Sequence, residues 1–216
     1  MRARFAGELE QLGVQLGAMC AMASAAMRDA TGALLNADLS LAEQVMNVEE
    51  QLHLLREECE QHATGLLALQ APVARDLRLV VTSIQAAEKI ERMGDLAGHI
   101  AATARRRHPA CAVPAPLRGQ FADLGRLAVL AADRVHQIIS DPVGEHFAEQ
   151  QRGDDQLDAL HRDILTTLGR PDGPYTVRDA IDVALLARFF ERFADQAVSV
   201  TRRLDYVVTG DTPRSS

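Results

Sequence analysis

The chain has 216 residues, 47% hydrophobic and 25% charged, enough to bury a core as one large domain or two small ones. Its 23 basic and 30 acidic residues leave a net charge of −7, Trp is absent and aromatics are 4%, so it lacks the positive field and stacking surfaces of nonspecific nucleic-acid binding. Cys20, Cys59 and Cys111 are far apart and form no CxxC pair, which argues against a disulfide framework or thiolate zinc site and points to a reducing, cytoplasmic setting.

The opening MRARFAGELE mixes both signs of charge and has no apolar segment, so it does not read as a secretion signal. Phe5, Leu9, Leu12, Leu16, Met19, Ala23, Ala26 and Ala30 then alternate steps of four and three, the period of a helix lying nearly antiparallel against neighbours. The uncharged stretch from Gln11 to Met27 is too short to span a bilayer and reads as a buried face. Asp38 is placed to cap a second helix bearing Leu41, Val45, Val48, Leu52, Leu55 and Cys59, and APV at 71–73 turns into a third with Pro72 at its first position. HPACAVPAP at 108–116 separates the two halves. Leu117, Phe121, Leu124 and Leu127 mark a fourth helix, SDP at 140–142 breaks it, and Leu157, Leu160, Ile164 and Leu168 mark a fifth. GRPDGP at 169–174 leads into the sixth. No strand alternation appears, so the expectation is an all-α chain of three long helices, a Pro-rich joint and three more.

That symmetry extends to residue identity. At an offset of 100, EKIERMGDLA aligns with RFFERFADQA, so that Glu91 meets Glu191, Arg92 meets Arg192 and Asp95 meets Asp195. One helix earlier, an offset of 105 sets EEQLHLL beside DDQLDAL, where Glu49 and His53 correspond to Asp154 and Asp158. Each half therefore carries two i,i+4 pairs of metal-competent side chains: Glu49/His53 with Glu91/Asp95, and Asp154/Asp158 with Glu191/Asp195. Counted at 1.5 Å per residue, an antiparallel hairpin places the two pairs within roughly 6 Å of one level in the first half and ~7.5 Å in the second. Facing pairs of this kind offer up to four ligands to iron, manganese, magnesium or zinc.

An acidic stripe is more often a solvated face. Steps of 100° put Glu88, Glu91, Asp95 and His99 on one arc and Ile90, Met93, Ala97 and Ala101 on another, so the carboxylates are expected to point away from the core. Solvation alone, however, does not preserve a register across a duplication. Glu50 and His53 form an ExxH, with DxxH variants at Asp133/His136 and Asp158/His161, the spacing of di-iron carboxylate oxidases; such a site needs two ExxH motifs around one interior. Arg105, Arg106, Arg107 and His108 close a helix, where cations offset its dipole. No P-loop, GxSxG or post-strand GxGxxG appears, so an enzyme is poorly supported.

QAPVARDLRLVV at 70–81 followed by EKIERMGD at 88–95 resembles the PhoU family of phosphate-transport accessory regulators, whose first repeat carries a QxPVAxDLR-like stretch and then ERxGD. The resemblance implies two tandem, pseudo-symmetric three-helix bundles, 1–108 and 116–216, joined by a linker at 109–115. It also implies multinuclear iron or zinc clusters on the bundle surface at (E/D)xxxD motifs, here Glu91/Asp95, Glu191/Asp195 and Asp154/Asp158. Repeat one departs in having His53 where a carboxylate is usual, and imidazole suits zinc and iron better than magnesium. Repeat two departs in having Ala194 for Gly94, which crowds a close neighbour, and QAVSV in place of a polar tail. The implied role is cytoplasmic, regulatory and non-catalytic: negative regulation of phosphate uptake by a homodimeric metal-binding adaptor that links the ATPase subunit of a phosphate ABC transporter to a sensor histidine kinase. Against it stand a metal-free helical scaffold and a di-iron oxidase.

Overall fold

The computed structural model describes residues 2–141, 144–170 and 173–210. They form six helices: α1 Arg2–Asn36, α2 Leu39–Gln70, α3 Ala74–Arg107, α4 Arg118–Ser140, α5 Gly144–Leu168 and α6 Val177–Thr209, with one 3-10 turn at Ala115–Leu117 and no strand among the described residues. Asp38 caps α2 as expected, its carboxylate accepting from the Leu41 N–H at 3.1 Å. Pro72 is displaced from the expected first helical position. Ala71 ends α2 in the left-handed region, Val73 is the extended N-cap of α3, and Pro72 lies in the connection between them. Pro142, Pro171 and Asp172, in the last two breaks, fall outside the described residues.

Each half is a three-helix bundle. α2 packs on α3 and α5 on α6, while α1, α3, α4 and α6 form the contact layer between the halves, α1 against α4 and α3 against α6. α3 and α6 run antiparallel: Arg107 at the end of α3 donates to Asp179 at the start of α6 (2.6 Å), and Arg78 near the start of α3 lies over the Tyr206 ring near the end of α6 (5.7 Å). One apolar cluster runs through both halves, and Ile90, Met93, Ala97 and Ala101 are all fully buried in it, the face assigned to the core by periodicity. α2 and α5 are thereby left on the two flanks, and the duplicated pairs lie in the α2/α3 and α5/α6 clefts.

Local sequence secures the entry to α6. Thr176 accepts from the Asp179 N–H (3.1 Å) and Asp179 accepts from the Thr176 N–H (3.3 Å), a reciprocal capping box. The Thr176 hydroxyl and Arg107 hold the Asp179 carboxyl below its usual range. Thr176→Ala is expected to cost about 1 kcal/mol, seen as a lower urea midpoint with an unchanged slope.

Candidate metal centre

Antiparallel packing brings the paired residues of each half face to face. In the first half His53 and Glu91 meet, Nδ1 to Oε1 at 2.6 Å, and Glu49 lies one turn along, its Oε2 at 2.6 Å from where a Cβ on Gly98 would sit. Gly94 does the same for the core side of the contact, since a Cβ there would lie 2.4 Å from Leu52 Cδ1. Two glycines one turn apart therefore let α2 settle onto α3 at the level of the acidic residues. Burial, and then the Asp95 carboxylate, push Glu49 above the usual carboxylate range, while His99 and Arg92 pull it back.

Cations already balance most of this site. Glu91 is held between His53 and Arg56, the Arg56 Nε at 3.1 Å, and Asp95 accepts from Arg92 at 2.8 Å. His53 is exposed and also faces Glu57 at 3.4 Å. The first constellation is assembled as the register implies, but as an ion-pair network.

The second half carries its pairs on α5 and α6 with a different charge balance, and Ala194 and Val198 stand where the first half has Gly94 and Gly98. Asp154 is pushed up to about 6, first by burial and then by Asp158, Asp195 and Asp155, with Arg202 opposing. Glu191 is raised by burial and then Asp195; Asp195 is raised by burial and then Asp158. Four carboxylates thus repel one another across the α5/α6 cleft. Asp154 Oδ1 and Glu191 Oε2 are buried with no hydrogen-bond partner, and unsatisfied buried acceptors are costly. Arg188 reaches only the other Glu191 oxygen. Ala194, which replaces the glycine of the first half, is buried.

Among the described residues no three His, Cys, Asp or Glu side chains stand close enough together to hold an ion as they are. The second cluster consists of facing pairs whose side chains must turn toward each other to close on a cation. Its donors nevertheless fit one: hard oxygens with orphaned lone pairs, mutual repulsion that a cation relieves, and His161. Burial and then Arg188 hold the His161 imidazole below its ordinary value, which keeps it neutral at pH 7, the metal-binding form. Asp158 and Asp195 act on it from the same cluster. The DxxH spacing flagged His161, but not its place beside α6. Arg56, Arg188 and Gly98 were not singled out; the only signal for Gly98 was a second glycine one turn past Gly94.

The oxidase constellation does not assemble. Glu50 and His53 are both exposed on α2, Asp133 accepts from Ser24 at 2.6 Å, and His136 is bound to the Gly17 carbonyl at 2.9 Å. Cys20 and Cys59 are buried, burial pushes the Cys59 thiol up to about 11, and the Cys111 thiol donates to the Leu35 carbonyl at 3.1 Å. No described helix is long and apolar enough to cross a membrane.

Comparison with known proteins places this architecture. The PhoU domain family matches twice, over residues 16–104 and 121–204. The phosphate-specific transport system accessory protein PhoU homolog 2 of Mycobacterium tuberculosis is 46% identical over 213 residues, 99% of this chain and 100% of that protein. PhoU homolog 1 of Mycobacterium leprae is 44% identical over 213 residues, 99% of this chain and 96% of that one. The crystal structure of the phosphate transport system regulatory protein PhoU from Streptococcus pneumoniae has the same fold, with a TM-score of 0.87 at 21% identity over 98% of this chain and 100% of that chain. A domain matched in both halves, on relatives aligned from end to end, makes this chain a member of the PhoU family.

Proposed function

We propose that the protein is a cytoplasmic regulator of phosphate transport that acts by binding and not by catalysis. It restrains phosphate uptake and starvation signalling, as an adaptor between the ATPase subunit of a phosphate ABC importer and a sensor histidine kinase. Iron or zinc at Asp154, Asp158, Glu191 and Asp195, with His161 beside them, holds the α5/α6 cleft in shape; Glu49, His53, Glu91 and Asp95 form the weaker counterpart. The observation that carries the metal reading is the buried, partnerless pair of oxygens on Asp154 and Glu191 within a cluster of raised carboxyls. A bound divalent ion would supply positive charge that offsets their repulsion. The relatives named as phosphate-specific transport system accessory proteins support the regulatory reading.

The surface suits an adaptor. Val177, Ile181 and Leu185 are exposed at the start of α6, and Leu77 and Val81 at the start of α3, on the same helical faces as the acidic pairs further along. Exposed apolar turns beside acidic ones give a partner helix pair both burial and orientation; a second copy of the chain is the other use, and a homodimer is part of the proposal. Deletion is expected to leave alkaline phosphatase and transporter expression high in phosphate-rich medium; unchanged repression would refute the regulatory role.

The ion pairs that hold Glu91 and Asp95 favour a second reading, a scaffold that needs no metal. It expects Gln or Asn at Glu91, Asp95, Glu191 and Asp195 to leave partner capture unchanged, whereas the metal reading expects the changes in α6 to weaken it.

A further inference from the structure

A cavity of about 640 Å³ opens at the seam between the two halves, between the first turns of α1 and α3 and the last turns of α4 and α6. Its walls are largely apolar, with Leu79, Ile139 and Val207 facing it and Val14 and Val208 at the mouth, 67% and 46% exposed. Pockets of roughly 300–1,000 Å³ with apolar walls and a few polar groups are the ordinary form of a binding site.

The duplication shows what such a seam accepts, because the pseudo-symmetric seam at the opposite end is closed. The offset of 105 that relates α2 to α5 also relates the ends of α1 and α4 to within one residue, and the two family matches start at 16 and 121. Under that offset α4 begins at Arg118, the counterpart of Gly13, and the 3-10 turn Ala115–Leu117 matches residues 10–12, so the turns of α1 before Glu10 have no helical counterpart. In their place the linker folds over the seam. The Cys111 thiol donates to the carbonyls of Leu34 and Leu35, which correspond to Ile139 and Ser140 of the open cavity, and Ala112 and Val113 are buried at 1% and 0% exposure. Where Val207 faces Leu79 and Thr82 across the open seam, the counterparts Arg107, Asp179 and Asp182 are joined by ion pairs at 2.6 and 3.5 Å. One seam is thus sealed by the linker, and among the described residues its twin is left open.

We infer that the open seam is a docking groove for an extended segment of a partner protein, rich in Val, Ala and Pro like the linker that fills the closed one, with an acidic residue at its end to meet Arg75. Arg75 and Glu10 both line the groove, and Arg75 forms no ion pair among the described residues, so its guanidinium is available to an acidic group beside the apolar floor. The groove lies away from the α5/α6 cleft and stands independently of the metal and signalling readings.

The probe is a fluorescein-labelled peptide made of Asp followed by the sequence of residues 109–117, DPACAVPAPL, kept reduced and titrated into the full chain with anisotropy as the readout. The expected result is saturable binding that weakens by about tenfold or more when the peptide carries V113D. The double variant Val14→Asp/Val208→Asp weakens it as much; both positions are exposed, and an unchanged circular dichroism spectrum shows that the variant is folded. Arg75→Gln weakens binding to this peptide and not to one lacking the Asp. No saturable binding up to about 1 mM peptide, or equal binding by wild type and the double variant, overturns the proposal. So does a saturable decanoate site in the wild type that the peptide cannot compete for, which would assign the groove to a small apolar molecule.

Discussion

Zinc or ferrous iron added to chelator-stripped protein is expected to raise its melting temperature by about 5–10 °C, and Asp154→Asn combined with Asp195→Asn to abolish the rise. A ligand that binds only the folded state, at a concentration near 100 times its Kd, contributes about 2.7 kcal/mol, and in a domain of this size each kcal/mol moves the midpoint by about 2–4 °C. The same repulsion gives the stripped protein a characteristic pH dependence. Burial and the neighbouring carboxylates push Asp154 up to about 6 from the ordinary 3.8, so its contribution is fully present below about 3.8 and lost as pH rises through about 6. Glu191 and Asp195, also raised, act in the same direction. Stripped Asp154→Asn protein is therefore expected to be more stable than stripped wild type at pH 7. After discounting for a half-exposed group the gain is on the order of 1 kcal/mol, and the difference shrinks toward pH 4. The order reverses once metal is added, because the variant has lost the ligand. Matching pH profiles for the two stripped proteins would remove the electrostatic basis of the site.

Phe190→Ala is expected to cost about 3–5 kcal/mol, the usual range for an aromatic deleted from a close-packed interior. Phe190 is fully buried and meets Phe121 edge to face, ring centroids 6.0 Å apart, where α6 packs on α4. The corresponding fall in melting temperature is about 10–15 °C, against less than about 0.5 kcal/mol for the exposed Leu54→Ala. The shape of the transition matters as much as its position. One apolar cluster joins both halves through α1, α3, α4 and α6, so the variant is expected to melt in a single step. Two separated transitions, with the first half surviving, would show the two bundles to be energetically independent.

Much of the fold was legible because helical periodicity is a local property. The stepping in α1, the cap at Asp38 and the split of α3 into an apolar and an acidic face each depend on neighbours within four residues. Pro72 was misplaced by one such local rule: Ala71 ends α2 in the left-handed region and Val73 is the extended N-cap, so α3 starts after the proline and not on it. The linker was read as a separator, and nothing in PACAVPAP announces that Ala112 and Val113 complete the core, because that depends on where α1 ends in space.

The candidate site was legible in its register and not in its charge balance. Duplication exposed the four pairs, and antiparallel packing set them opposite one another. Spacing along a helix, however, cannot show that Glu91 finds His53 and Arg56 on another helix. Nor can it show that Arg188 leaves one Glu191 oxygen without a partner. Ala194 marked the second half as the degraded copy by its letters. The electrostatics point the other way: in the first half Glu91 and Asp95 are held in ion pairs, and in the second burial and mutual repulsion raise three carboxyls despite Arg188, Arg192 and Arg202.

The most direct measurement is an anomalous difference map from crystals soaked in zinc or ferrous iron and collected at the corresponding absorption edge. The expected result is one or more strong peaks in the α5/α6 cleft, about 2.0–2.2 Å from oxygens of Asp154, Asp158, Glu191 or Asp195 in the case of zinc, with weaker occupancy near Glu49 and Asp95. A saturating soak that leaves that cleft without a peak, or places metal only at lattice contacts, would contradict the metal-centred account.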